Sequence, residues 1–193
     1  MKSSPLRLIM SVLVTCVVAA SGLAVTYSIT APRIAAQVKA AEEDALAAVL
    51  PQAADFEGVD DATLVAAREA AGDTDVSALY VARDDSGATV GWGLRVASRG
   101  YGGPINMVIG LDRNGKVVGL TILAMNETPG LGTRVRTEPW FLEQFKTLPP
   151  NFGEADVKKL DMISGATKSS RGVRNSMLAA GRIYEQVLSE KVE

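Results

Sequence analysis

A long uncharged segment near the N-terminus constrains the fold of this chain more than any other sequence feature. No charged residue occurs between Leu8 and Pro32, and residues 8–29 form a core of 22 mainly apolar residues. Because a helix rises about 1.5 Å per residue, this core can cross a hydrocarbon layer about 30 Å thick. Lys2 and Arg7 precede it. The positive-inside rule therefore predicts a single-pass helix with a cytoplasmic N-terminus and the rest of the chain outside.

A cleaved signal peptide is the alternative interpretation of this segment. The apolar region of a signal peptide is usually about 7–15 residues long, so the length here favours an uncleaved anchor that contacts lipid. Cys16 lies mid-segment after Thr15, which is too large for a good lipoprotein cleavage site. We interpret this cysteine as an apolar structural residue.

The histidine and cysteine counts exclude several kinds of chemistry. The sequence has no histidine and one cysteine. A Ser-His-Asp triad, a His-ligated zinc, an internal disulfide and a Cys-ligated iron–sulfur cluster are therefore excluded. No metal site is predicted, and any redox chemistry must come from an organic cofactor. The 20 basic and 22 acidic residues give a net charge of −2, which argues against a nucleic-acid partner.

The sequence pattern divides the chain into three predicted parts. Residues 1–32 form the cytoplasmic N-terminus and the membrane anchor, residues 33–75 a helical connector, and residues 76–193 an extracytoplasmic domain. In the connector, apolar residues spaced by three and four predict a helix over residues 33–50, which ends before Pro51. Residues 52–75 contain few large apolar side chains. We expect a loosely packed segment there, with one helix near residues 62–71.

Short β-rich runs separated by turn residues follow the connector. The turn sequences at residues 84–87 and 112–115 each join two such runs, at residues 78–83, 89–96, 105–111 and 116–125. This pattern predicts two hairpins in one antiparallel sheet. A helix is predicted over residues 139–146, an undecided connector over 152–160, and an amphipathic helix from after Ser169 to near Ser189. The predicted fold class is α+β: a transmembrane helix, then an antiparallel sheet with packed helices.

One motif that can carry chemistry runs directly into the last predicted helix. Its polar and small residues are Asp161, Ser164, Gly165, Ala166 and Thr167. The free N–H groups and the positive dipole end of a helix start favour phosphate, and Lys168 and Arg171 add positive charge nearby. Ser and Thr are also ordinary helix caps. The residues alone therefore leave a polar helix start and an anion site both open.

A second motif lies directly after the last predicted strand. Residues 127–132 read Glu-Thr-Pro-Gly-Leu-Gly. Proline and two glycines fix a tight loop whose backbone can lie near a ligand. A plain surface turn has the same composition. No glycine-rich fingerprint of the dinucleotide-binding kind follows a strand, so a dinucleotide fold is not indicated.

The first motif resembles a known modification signature. Residues 161–167 match the Asp-x-x-Ser/Thr-Gly-Ala-Thr sequence of FMN-binding domains that carry flavin on the final threonine. The resemblance implies a covalent FMN, joined by a phosphoester to the hydroxyl of Thr167. It also implies maturation by a separate, magnesium-dependent flavin transferase that uses FAD as donor and releases AMP.

The pairing of the two motifs resembles the G subunit of the Rnf electron-transport complex. It also occurs in the C subunit of the sodium-translocating NADH:quinone oxidoreductase, and the compact length and the Gly-Tyr-Gly-Gly segment at residues 100–103 favour Rnf. The likeness implies an electron-transfer subunit of an ion-translocating ferredoxin/NAD oxidoreductase complex in the bacterial inner membrane. Its partners would be iron–sulfur and flavin subunits. Asn126 stands where many Rnf relatives have a histidine, so no titrating side chain is expected there.

The resemblance assigns the cofactor-binding residues to two groups. The phosphate side comprises Asp161, Ser164, Gly165, Ala166, Thr167 and Lys168. The ring side comprises Glu127, Thr128, Gly130, Leu131 and Gly132, with Tyr101 at its border. Trp92 and Trp140 are interpreted as core aromatics. Three other functions stay open: the sodium-pump subunit, a non-redox membrane-anchored ligand-binding module, and a stand-alone flavin reductase, which the missing nucleotide fingerprint disfavours.

Overall fold

The computed structural model describes residues 5–191 of the chain, which form one long helix followed by a sheet with shorter helices. The helices are α1 (Pro5–Val49), α2 (Asp61–Ala71), α3 (Arg134–Thr137), α4 (Pro139–Glu143), α5 (Glu154–Lys159) and α6 (Thr167–Ile183). The strands are β1 (Asp55–Gly58), β2 (Asp75–Arg83), β3 (Thr89–Arg99), β4 (Pro104–Asp112) and β5 (Val117–Met125). A 3₁₀ turn (Gln144–Thr147) extends α4, and a π-helical turn (Tyr184–Leu188) and a 3₁₀ turn (Ser189–Lys191) extend α6.

The chain divides into two units, and the boundary lies within α1 after Ala41. The first unit is the N-terminal part of α1, which is long and apolar enough to cross a membrane by length and composition. Its hydroxyl groups donate to backbone carbonyls one turn earlier, for example Thr15 to Ser11 and Thr26 to Gly22, both at 2.9 Å. Such bonds satisfy polar groups that lipid could not.

The second unit, from Glu42 onward, contains a five-stranded antiparallel sheet in the order β1-β2-β3-β4-β5. The two predicted hairpins are confirmed as β2–β3 and β4–β5. The turns of both hairpins are stabilised by the same kind of hydrogen bond. The carboxylate of Asp84 accepts hydrogen bonds from the backbone of Ser86 and Ala88, and that of Asp112 does so from Asn114 and Lys116. An aspartate that bonds the backbone two residues ahead stabilises a turn by itself.

The segment predicted as a loose connector is part of the folded unit. Strand β1, which the sequence pattern does not predict, pairs with β2, and Ala67 and Ala71 of α2 are fully buried in the core. Strand β1 has four residues and one large apolar side chain, Phe56, so it lacks the alternation that marks a strand. The helix expected near residues 62–71 is confirmed. The undecided connector contains α5, and the division of the chain into three domains stays a prediction.

The main core lies between one face of the sheet and helices α2 and α6. Alternate residues of β4 point into this core, namely Ile105, Met107, Ile109 and Leu111. Val173, Met177 and Ala180 of α6 pack against them. Trp92 lies in this core, as predicted, with 2% of its surface exposed.

The prediction that Trp140 is a core aromatic is wrong, because 45% of its surface is exposed. Phe141 and Phe145 occupy the inner face of α4 and the 3₁₀ turn that follows it, with ring centroids 5.6 Å apart. Trp140 lies one position earlier, about 100° away around the helix. Its indole N–H donates to Glu138 at the surface.

The opposite face of the sheet is covered by the last two turns of α1. Three glycines of adjacent strands, Gly93, Gly110 and Gly119, lie side by side in register. A Cβ atom at Gly110 would lie 2.7 Å from the carbonyl oxygen of Val49, and one at Gly119 would lie 2.9 Å from the Val49 Cα. The row of missing side chains therefore allows the backbone of α1 to approach the sheet directly.

Candidate functional site

Three separate segments of the chain meet around one cavity of about 530 Å³. They are the β3–β4 loop, the loop after β5, and the turn that leads into α6. The lining residues are Tyr101, Glu127, Thr128, Leu131, Gly132, Gly165, Ala166, Thr167, Lys168 and Ser169. Cofactor pockets generally have volumes of about 300–1,000 Å³, so the cavity has the size that a cofactor needs.

The turn before α6 is fixed by local and distant hydrogen bonds. The Ala166 N–H donates to the Ile163 carbonyl at 2.9 Å, and Gly165 adopts a φ of 82°, which a side chain would strain. The guanidinium of Arg134 donates to the Ser164 carbonyl at 2.9 Å. Gln144 bonds both the N–H and the carbonyl of Asp161. Residues from α3 and from the turn after α4 therefore hold the start of the motif.

The hydroxyl groups of this motif and of the first turn of α6 have different environments. Ser169 is buried and donates to the Glu127 carboxylate at 2.8 Å, and buried Ser170 accepts from the Ile163 N–H at 3.1 Å. Thr167 is exposed in the cavity wall. Within residues 5–191 its hydroxyl has no hydrogen-bond partner. Among the hydroxyl groups of residues 161–170, that of Thr167 is the one that belongs to a cavity-lining residue and has no hydrogen-bond partner in the part of the chain that the structure describes.

Helix α6 begins without a side-chain cap. Its N-cap residue is Ala166, which makes no side-chain hydrogen bond to the first turn. The interpretation of the serines and threonine as ordinary caps is therefore not supported by the geometry. The first N–H groups of an α-helix have no partner within the helix, and together with the positive end of the helix dipole they favour phosphate. Thr167, Lys168 and Ser169 of this first turn line the cavity.

Glu127 joins all three segments of the site. One carboxylate oxygen accepts from the backbone N–H groups of Tyr101 and Gly102 at 2.8 and 3.2 Å, and the other accepts from Ser169. With 7% of its surface exposed, the side chain lies within the wall. The family resemblance predicts Glu127 on the ring side of the pocket, and no sequence pattern indicates this bridging contact.

The rim of the cavity combines apolar surface with positive charge. Tyr101 and Leu131 are 67% and 52% exposed, and the Lys168 ammonium lies 5.3 Å from the centroid of the Tyr101 ring. Arg134, which holds the turn, also pairs with Glu138 at 2.7 Å. Hydrogen bonds from the Trp140 indole and from Arg134 lower the pKa of Glu138, so this carboxylate stays charged beside the site.

Most of the predicted site residues line the cavity, but three do not. Asp161, Ser164 and Gly130 are outside its lining. Ser169 lines the cavity and was not among the predicted binding residues. Arg134 and Gln144 were also missed, since nothing in their sequence context indicates that they would contact the turn before α6. No group of three His, Cys, Asp or Glu side chains suited to a metal ion occurs in the part of the chain that the structure describes.

Comparison with known proteins identifies the family. Residues 100–181 match the FMN-binding domain. The chain is 32% identical over 182 residues to the G subunit of the ion-translocating oxidoreductase complex of Methanosarcina acetivorans, and the match covers 90% of this chain and 91% of that protein. This chain belongs to the family of G subunits of ion-translocating oxidoreductase complexes. The resemblance inferred from the two motifs is confirmed.

Other relatives extend this comparison. The chain is 26% identical over 172 residues to the G subunit of the proton-translocating ferredoxin:NAD(+) oxidoreductase complex of Clostridium ljungdahlii, covering 86% of this chain and 84% of that one. The crystal structure of Shewanella oneidensis NqrC matches 58% of this chain and 59% of that chain with 22% identity and a TM-score of 0.48. As a member of the G-subunit family, the chain is one part of a multi-subunit oxidoreductase and contains an FMN-binding domain.

Proposed function

We propose that this chain is the electron-carrying subunit of a membrane-bound ferredoxin/NAD oxidoreductase that moves ions, with FMN attached by a phosphoester to Thr167. One observation carries the proposal. The Thr167 hydroxyl is exposed in the cavity wall at an uncapped helix start, while the neighbouring Ser169 and Ser170 hydroxyls are buried and bonded.

The residues present fit a flavin phosphate and ring. The first N–H groups of α6 and the Lys168 ammonium favour an anionic phosphate beside Thr167. Leu131 and Tyr101 offer apolar and aromatic surface to a ring, and Thr128 offers a polar group beside them. Bound FMN would supply one- and two-electron chemistry. A cofactor fixed by its phosphate cannot diffuse away, which suits a relay between partner subunits.

The attachment reaction uses the Thr167 hydroxyl. Its oxygen forms the new ester bond to the FMN phosphorus of FAD, the phosphoanhydride bond breaks, AMP leaves, and the hydroxyl proton is released. A flavin transferase with magnesium would supply the catalysis. Since Thr167 is exposed, an external enzyme can reach its hydroxyl. This arrangement makes Thr167 an anchor, with no role in electron transfer itself.

The location follows from the sequence of the anchor. The uncharged part of α1 would span the bacterial inner membrane once and contact lipid, with Lys2 and Arg7 on the cytoplasmic side. The FMN-binding domain would then lie on the extracytoplasmic side. Within the membrane segment there is no ionisable group other than Cys16 and Tyr27. The ion path would therefore belong to other subunits.

Flavin fluorescence tests the proposal directly. The full chain is co-expressed with a flavin transferase and run on a denaturing gel, which removes any flavin that is not covalently bound. Wild type and Thr167→Ser should show a fluorescent band, because both retain a hydroxyl. Thr167→Ala should show none. The intact mass of wild type should exceed that of the chain by FMN less one water, with the addition in the peptide that holds residue 167.

Thr137→Ala is the matched control. Thr137 is an exposed threonine that lies outside residues 161–167 and does not line the cavity, so the loss of its hydroxyl should leave the band unchanged. A fluorescent Thr167→Ala chain would refute the attachment site. A wild-type chain without flavin, even beside the transferase, would instead favour a non-redox anchored module. The subunits that co-purify with the chain would separate an Rnf complex from the sodium pump.

A further inference from the structure

The buried carboxylate of Glu127 has no part in the proposed attachment step, in which the Thr167 hydroxyl reacts. Its two oxygens accept hydrogen bonds from Tyr101, Gly102 and Ser169. Two of these donors are backbone groups of the β3–β4 loop, and the third belongs to the first turn of α6. The carboxylate therefore fixes the spacing between the Tyr101 loop and the helix start that carries Thr167.

Two glycines leave the space that this carboxylate occupies. A Cβ atom at Gly100 would overlap one carboxylate oxygen of Glu127, and a Cβ atom at Gly132 would overlap the other. The Gly132 Cβ would also lie 2.8 Å from the Ser169 hydroxyl. A larger residue at either position would displace the carboxylate, so the surrounding backbone is shaped around it.

The charge of Glu127 has no cationic partner. Among residues 5–191, no lysine or arginine forms an ion pair with it. The Lys168 ammonium, which is the cation on the same cavity wall, lies over the Tyr101 ring. A buried charge interacts more strongly with its surroundings than an exposed one, because little water screens it. The negative potential of Glu127 therefore reaches the cavity.

We propose that Glu127 is a positioning residue whose buried negative charge also lowers the reduction potential of the flavin held in this cavity. The inference rests on the proposed function. Reduction brings negative charge onto the flavin, and a fixed negative charge in the wall opposes that change. Glu127 thus does two separable things: it holds the two loops together through hydrogen bonds, and it makes the flavin a stronger reductant through its charge.

Glu127→Gln separates these two effects. The amide oxygen can accept from the Tyr101 and Gly102 N–H groups, and the amide NH₂ can donate to Ser169 if that hydroxyl turns to accept. The hydrogen bonds are then retained while the charge is lost. Ser169→Ala is the opposite variant, because it removes one hydrogen bond and retains the charge. Glu127→Ala removes both.

The experiment measures the flavin reduction potential of the full chain in detergent by dithionite titration against a reference dye. We expect Glu127→Gln to retain covalent flavin and to have a more positive reduction potential, while Ser169→Ala stays near the wild-type potential. Glu127→Ala should attach flavin about 10²-fold more slowly, since a displacement near 1 Å can have this effect. Attachment is followed by gel fluorescence.

An unchanged or more negative potential in Glu127→Gln would overturn the role of the charge. An equal positive shift in Ser169→Ala would also overturn it, since loosening of the site would then explain both. A Glu127→Gln chain that fails to fold or to bind flavin would show that the amide cannot replace the carboxylate and would refute the proposed separation of the two effects. Absence of flavin from wild type would instead refute the proposed function, and it would therefore refute this inference as well.

Discussion

Replacing Gly110 by alanine tests how closely α1 packs on the sheet. A Cβ atom there would lie 2.7 Å from the Val49 carbonyl oxygen and 2.9 Å from the Leu50 Cγ. Carbon–oxygen contacts are normally about 3.3 Å or longer. Backbone atoms of α1 would therefore have to move by roughly half an ångström or more. Overpacking of this kind generally costs about 1–3 kcal/mol.

Alanine substitutions at two other glycines should destabilise the protein less than Gly110→Ala does. Gly58→Ala in β1 should change the free energy of unfolding by less than about 0.5 kcal/mol, because no atom lies within 4 Å of the new Cβ. At Gly93 the nearest atom is the end of the Leu46 side chain, which can rotate away. We therefore expect the loss in the free energy of unfolding caused by an alanine substitution to increase in the order Gly58, Gly93, Gly110. The Gly93→Ala cost should also fall in a Leu46→Ala background, since coupled sites are not additive.

Urea unfolding of the full chain in detergent measures these differences. The fluorescence of buried Trp92 reports on the sheet, and a Trp140→Phe background removes the signal of the half-exposed tryptophan. Because the free energy of unfolding falls by about 1–3 kcal/mol per molar urea, a loss of 2 kcal/mol corresponds to a fall of about 0.7–2 M in the midpoint. A Gly110→Ala chain with the same unfolding midpoint as Gly58→Ala would refute the close contact between α1 and the sheet.

Two further variants test the pH dependence of stability. Burial and the hydrogen bond to Glu42 raise the pKa of Tyr80 to about 12. The contribution of Tyr80 to stability is therefore complete below about pH 10 and is lost as the pH rises toward 12. When unfolding midpoints are compared across that range, Tyr80→Phe should show a smaller loss of stability than wild type. Hydrogen bonds from the side chain and then the backbone of Thr63 lower the pKa of Asp60 to about 2. Asp60 caps α2, so its contribution to stability is present above about pH 4 and is lost as the pH falls toward 2. Asp60→Ala should have a lower unfolding midpoint than wild type at pH 7 and the same midpoint near pH 2. Equal midpoints at pH 7 would contradict this role.

Local sequence patterns predicted most of the secondary structure correctly. Residues 105–111 alternate between the two faces of the sheet, and Asp84 and Asp112 start their turns with bonds to the next few residues. These features depend on neighbours in the chain, so they can be inferred without the tertiary structure. Strand β1 was missed because pairing with β2, and not its own pattern, makes it a strand. Trp140 was misplaced because its helix buries Phe141 and Phe145 instead.

The sequence by itself predicted residues 127–132 and 161–167 as cofactor-binding segments, because each is a short motif whose resemblance to a known family can be seen without the tertiary structure. Only the tertiary structure decided which of these side chains are bonded and which are exposed. Glu127 and Ser169 are 42 positions apart, and their hydrogen bond forms because the loop after β5 and the start of α6 meet in space. That contact occupies the Ser169 hydroxyl and leaves the Thr167 hydroxyl exposed. Which hydroxyl is available is therefore set by the packing of distant segments, which no local pattern encodes.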